Sequence, residues 1–290
     1  MGAVYIAPSK DTLWTTSSQP PTYSDTKTHG DYTTQPHVQL DSVLATLSLG
    51  PVGISDAYNY TDVFLISQSF RCTNDSTLLR PDRPLSWVDS FFYNASLGLD
   101  RIDIRSTHSQ VPAQRGGSRL SQAITTHYVV AWRSASPVTL GSSDLYPTPP
   151  SHVSLAMRKH VVGPNASAQQ QGCIDGERAD NGCITMLCAS CQPVIEATGT
   201  NLDNFSLTVI YEPLSNGAYF LGELTKFVHV SHQRFEYILV DEEEGGKAGI
   251  VVGVRGCVGE KILLTAITKD GLVSTASTSI PEGGFVDITL

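Results

Sequence analysis

Six cysteines and eight histidines are the residues of this chain best suited to metal or redox chemistry, and their spacing narrows what they do. Cys188-Ala-Ser-Cys191 has the two-residue spacing used both by zinc sites and by dithiol redox centres. Cys173 and Cys183 would complete a four-cysteine zinc set, leaving Cys72 and Cys257. The surroundings favour a third outcome. No βαβ pattern flanks the motif, and five Asn-x-Ser/Thr sequons occur, at Asn59, Asn74, Asn94, Asn165 and Asn204. An even cysteine count, with four of the six inside residues 173–191, reads as a disulfide-stapled loop of an oxidising compartment. Neither a metal nor a cofactor is therefore expected. Among the histidines only His229 and His232 lie close together, and on a strand that spacing sends them to opposite faces. The acidic run 241–244, followed by two glycines, reads as a solvated hairpin loop. No Gly-x-Ser-x-Gly elbow marks a nucleophilic serine.

Charge excludes other partners. A net charge of −9 and a pI near 5.3 leave no basic stripe to neutralise phosphates, so neither nucleic acid nor an anionic membrane surface is expected. No apolar run approaches the roughly 20 residues that span a bilayer. The first residues lack a basic n-region, and Ile6 breaks the myristoylation pattern that Met1-Gly2 opens. Sequons and cysteines place the protein outside the cytosol, extracellular or lysosome-like, although no signal peptide is present. Met1 is accordingly expected not to be the native start.

Positioning elements follow from periodicity. Residues 1–36 read as a short strand at 3–6 and a long polar loop. Leu40, Val43, Leu44 and Leu47 recur at i, i+3, i+4 and i+7, one helical face, with Gly50 as C-cap and Pro51 as stop. A short strand at 52–54 and a second helix at 61–70, opening at Thr61, complete one helix–strand–loop–helix repeat. From residue 86 the pattern turns to short β candidates: 86–92, 127–132, 205–211, 219–230, 235–240, 249–254, 261–268 and 285–290. Such a series, punctuated by Asp270-Gly271 and Glu282-Gly-Gly284, implies a β-sandwich.

Over residues 36–92 the sequence resembles the last barrel repeat of retaining glycoside hydrolases of the α-galactosidase and raffinose-synthase type. The matching pieces are Gly-Pro-Val-Gly-Ile-Ser-Asp at 50–56 and Thr-Leu-Leu-Arg-Pro-Asp-Arg-Pro at 77–84, the exit from barrel to β-domain. Residues 7–20 are similar to the loop before that repeat. The resemblance implies a mainly β chain, with a C-terminal β-sandwich at 86–290 preceded at 1–85 by the final α/β repeat or repeats of a (β/α)₈ barrel. It implies a carbohydrate partner. Barrel chemistry sits at the C-terminal ends of the strands, so Asp56 would face the sugar. Trp14 would stack on a pyranose ring, and Asp11 and Lys10 would bond its hydroxyls. A retaining glycosidase also needs two carboxylates about 5–5.5 Å apart. No position here matches the family's nucleophile, so the chain alone is expected to be inactive. A non-catalytic carbohydrate-binding or structural β-protein of the extracellular space is the alternative.

Overall fold

In the computed structural model the chain is mainly β, and it describes residues 13–18, 37–50, 52–72, 77–89, 103–115, 121–132, 137–160, 184–189, 191–195, 205–241 and 249–290. Two helices come first, α1 (Val38–Leu47) and α2 (Val63–Ser67). Then follow β1 (Ser86–Trp87), β2 (Asp103–Arg115), β3 (Ser121–Trp132), β4 (Val138–Thr139), β5 (Leu155–His160), β6 (Ile184–Leu187) and β7 (Val194–Ile195). The last seven strands are β8 (Ser206–Tyr211), β9 (Tyr219–Gly222), β10 (Phe235–Asp241), β11 (Gly249–Arg255), β12 (Lys261–Ile267), β13 (Val273–Ser279) and β14 (Phe285–Thr289).

The main sheet has nine strands, in the order β14-β11-β10-β2-β3-β8-β5-β6 with β1 added beside β2. Its pairings are antiparallel except that of β10 with β2. A three-stranded sheet, β13-β12-β9, and a two-stranded ribbon, β4-β7, complete the β structure among the described residues. The centre of the main sheet is buried on both faces, which is why β3 and β8 read as continuous apolar runs. Tyr128, Val130, Leu207, Val209 and Tyr211 enter one core cluster, while Val129, Ala131 and Ile210 enter another on the opposite face. A third cluster packs Ile262, Leu264 and Ala266 of β12 against Ile238, Val252 and Val254, so the small sheet lies on the large one.

Residues before 86 share the first of these cores. Leu40, Val43 and Leu47 of α1, Leu65 of α2, and Leu79 and Leu85 all pack with the inner face of β3 and β8. Each such leucine contributes roughly 1.5–3 kcal/mol by leaving water. The helical face expected from the spacing is thus the buried one. Its end differs from expectation: Ser48 is the C-cap, and Leu49, at φ 63°, takes the left-handed position assigned to Gly50. Arg80 supports that turn, donating from Nη1 to Leu49 O at 2.6 Å and from Nη2 to Gly50 O at 3.2 Å. The second helix is shorter than its apolar run suggested. It opens on Asp62, not Thr61, because the Asp62 carboxylate accepts the Leu65 N–H at 2.9 Å. The expected strand at 52–54 reduces to one parallel bridge, Ile54 with Leu13.

The segment at 77–84 also has a visible task. β2 is flanked by β1 at residues 105–106 and by β10 at 113–115, leaving the stretch between without a strand on that side. Asp82 fills the gap, its N–H donating to His108 O at 2.9 Å and its carboxylate accepting the Gln110 N–H at 2.5 Å. Even-numbered residues of β2 turn their backbone groups this way. Pro112 therefore directs its donor-less nitrogen away from β3, and the long β2–β3 hairpin loses nothing.

Candidate functional site

Asp56 and Trp14, two of the residues expected to meet substrate, lie beside the parallel bridge; Lys10 and Asp11 lie outside the described residues. Leu13 N–H donates to Gly53 O at 2.9 Å and Ser55 N–H to Leu13 O at 3.1 Å. One residue further on, Thr15 donates to both carboxylate oxygens of Asp56, from its N–H at 2.8 Å and its hydroxyl at 2.5 Å. The same Thr15 hydroxyl accepts the Asp62 N–H at 2.6 Å. Asp56 is thereby a clamp between two chain segments and the start of α2. Thr15, 2% exposed, is the residue that sequence reasoning overlooked. Trp14 beside it is partly buried.

Of the sequons, only Asn59 falls within the described residues. It is exposed on a turn at φ 66°, a conformation that Asn tolerates better than most side chains. Asn74, Asn94, Asn165 and Asn204 lie outside them, as do Cys173 and Cys183. Among the described residues two disulfides are formed, Cys72–Cys257 and Cys188–Cys191. The Cys-x-x-Cys motif is therefore a short cross-link.

Next to Ile54 opens a cleft of about 510 Å³, lined by α2, the Cys72–Cys257 disulfide, Lys226 and Glu260. Its charged groups are engaged in structure. Lys226 Nζ donates to Ser67 O and Phe70 O, each at 2.8 Å, and Glu260 accepts from Arg234 at 2.6 Å. Burial lowers the Lys226 pKa and raises that of Glu223 beside it.

A second cleft, about 420 Å³, lies where the segment at 77–84 meets the main sheet, and Arg83, Trp87, Asp89, His108, Asp144 and Tyr146 line it. Arg83 stacks over Tyr146 at 4.6 Å, and Arg105 over Trp87 at the same distance. Tyr146 is 58% exposed. Burial, then the neighbouring His127, lowers the His108 pKa, so this imidazole is neutral at pH 7. Alongside, His232 Nδ1–H donates to Asp82 at 2.7 Å. Aromatic faces flanked by carboxylates and a guanidinium suit a polyhydroxylated ring. The sequence offered Trp87 only as a strand residue, and Tyr146 carried no signal of its own.

His229 and His232 sit in the irregular segment after β9, not on a strand; His229 is buried and His232 exposed. A polar relay crosses the core there. His160 Nε2 bonds Gln68 Oε1 at 3.2 Å, His160 Nδ1 meets His229 Nε2 at 2.8 Å, and Tyr211 OH meets His229 Nδ1 at 2.5 Å. The Gln68 oxygen only accepts, so His160 carries its proton on Nε2. His229 then donates from Nε2, and Tyr211 donates to Nδ1. Both rings are neutral and every ring nitrogen is used. Desolvation by burial depresses both histidine pKa values, reinforced at His229 by His160 and at both by Arg158.

This carries a pH prediction. The unfolded histidines bind protons below about pH 6.5 while the folded ones do not. Stability should hold above that pH and fall as it drops, by up to about 1.4 kcal/mol per pH unit for each histidine. Urea unfolding at pH 7.5, 6 and 5 checks it, and a flat profile for the native chain beside a Gln substitution at His229 would refute it.

No protein-family model, curated protein or solved structure matches this chain.

Proposed function

We propose that the chain is the C-terminal portion of a secreted retaining glycoside hydrolase acting on α-linked sugars. Residues 1–85 would supply the final α/β repeat or repeats of a (β/α)₈ barrel and residues 86–290 the β-sandwich domain behind it. The observation carrying this reading is the parallel pairing of Leu13 with Ile54 on either side of α1. Parallel neighbours need a crossover, usually a helix, and strand–helix–parallel strand is the barrel's repeating unit. Exposed apolar side chains support it: of the ten large exposed hydrophobics among the described residues, Ile54, Tyr58, Tyr60, Val63 and Phe64 fall within eleven positions. Such a patch suits a surface covered by further chain. In this reading Asp56 ties neighbouring strand ends together, and Trp14 stands at the same rim for stacking on sugar.

Hydrolysis needs a carboxylate pair that this chain does not match, so it should not turn over substrate by itself. The test is to sequence transcripts across the 5′ end and to assay both products on an α-galactoside. An upstream frame with further βα repeats and paired carboxylates, whose product hydrolyses with retention, is expected. A transcript beginning at Met1, or turnover by the 290-residue chain, would overturn the reading. The 420 Å³ cleft favours a second reading, a non-catalytic carbohydrate-binding β-protein. It gains if the 290-residue chain binds glycans and loses them on Tyr146→Ala.

A further inference from the structure

A guanidinium taken out of water needs acceptors, because a buried charge without a counter-charge is among the most costly groups a fold can hold. Arg158 of β5 is such a group. It is 1% exposed, and Nε, Nη1 and Nη2 all lack a hydrogen-bond partner among the described residues. Its strand alternation sets it on the same face as Ala156 and His160, toward the core that holds Tyr211 and Tyr128.

No hydrogen bond joins it to the relay described above. Protons run from Tyr211 to His229, to His160 and to Gln68, so each ring acceptor is taken. At the far end Gln68 Nε2 is a second buried donor without a partner. Tyr211 is the ionisable group that bears on Arg158, and both histidines there are neutral. The region therefore carries one uncompensated positive charge and a surplus of donors, with no carboxylate facing it among the described residues. A water molecule would satisfy donors but not charge.

We propose that this core holds a small monovalent anion of the halide class, bound by Arg158. The anion neutralises the guanidinium and accepts its N–H groups. The inference does not depend on the glycosidase reading.

Thermal unfolding of the full chain in chloride against gluconate, at fixed ionic strength and pH 7.5, tests it. A ligand bound only by the folded state raises the midpoint with its concentration. The native chain should gain about 2–3 °C per tenfold rise in chloride and nothing in gluconate. Arg158→Met, which keeps an unbranched apolar stem without the charge, should lose the response. Equal midpoints in both salts, or a chloride response that survives in the variant, would overturn the proposal. If the variant does not fold, crystals of the native chain grown in bromide decide: an anomalous peak within hydrogen-bond reach of Arg158 supports the site, and a clean map removes it.

Discussion

Replacing Arg234 with Met is expected to remove about 3–5 kcal/mol of folding stability, the typical cost of stripping one partner from a buried ionic network. Arg234 is fully buried and uses all three nitrogens. Nε donates to Glu223 at 2.9 Å, and Nη1 to Glu260 at 3.0 Å and to Arg255 O at 2.8 Å. Nη2 donates to Glu260 at 2.6 Å and to Arg71 O at 2.6 Å. Removing it leaves two carboxylates facing each other in the interior, with Lys226 4.0 Å from one of them. Glu223, which burial already pushes toward its neutral form, would have to protonate or draw in water. Arg234→Lys should fail nearly as badly, since an ammonium cannot fork across two carboxylates and two carbonyls. Changing Arg234 to Met together with Glu223 and Glu260 to Gln should recover much of the loss, because no bare charge remains. Urea midpoints of the four proteins check this, and a single-variant loss under about 1 kcal/mol would show that water reaches the network. Nearby Gly256 is constrained by the same group: a Cβ there would come within 2.6 Å of Glu260 Oε2 and 2.9 Å of Arg234 Nη1.

None of this network was legible in the sequence, and the reason is physical. Arg234, Glu223 and Glu260 are ordinary surface residue types separated by loops, and only the fold makes them neighbours. What could be read were elements whose burial leaves a period. The α1 face and the runs that became β3, β8, β10, β11 and β12 were found because their apolar residues repeat at 3.6 or fill both faces of a strand. Six other strands among the described residues escaped, the short β4, β6 and β7 and three longer ones. β2 contains Pro112 and alternates histidine, serine and glutamine, β5 carries Arg158 and Lys159, and β13 reads Val-Ser-Thr-Ala-Ser-Thr-Ser at the edge of the small sheet. Edge strands and polar-cored strands carry weak hydrophobic signals, so pattern alone passes over them. The run 219–230 erred the other way: Gly222, at φ 74°, ends β9, and a Cβ there would lie 2.1 Å from His229 O.

The site was legible in type more than in place. In the sequence the motif at 50–56 points to substrate and the segment at 77–84 to a barrel exit; what the structure shows of both is structural hydrogen bonding. Asp56 is held by Thr15, and Arg80 and Asp82 support a helix end and a strand edge. A spacing can mark residues that chemistry or architecture needs; it does not separate the two. Trp87 and Tyr146 come together only because the segment at 77–84 runs beside β2.

Breaking Cys72–Cys257 should cost about 4–5 kcal/mol, whereas breaking Cys188–Cys191 should cost about 1–2 kcal/mol. The contrast follows from loop length. The first cross-link closes a separation of 185 residues and the second a separation of 3, and the entropy removed from the unfolded chain grows with the loop. Paired Cys→Ala variants compared by urea unfolding give both values; equal losses would mean that the long cross-link strains the fold or that the unfolded chain is already compact there. The long link also works on the same junction as Arg234. Arg71, next to Cys72, gives its carbonyl to Arg234, and Cys257 donates its N–H to Glu260 at 3.1 Å. Two independent devices thus fasten the segment after α2 to the β11–β12 turn, the place where the proposed barrel repeat joins the β-domain. Removing either should leave the other holding the contact, so the combined variant should lose more than the sum, with a coupling of about 0.5–3 kcal/mol. A combined loss smaller than the sum would show instead that the junction opens as soon as one fastening is cut, and strict additivity that the two act independently.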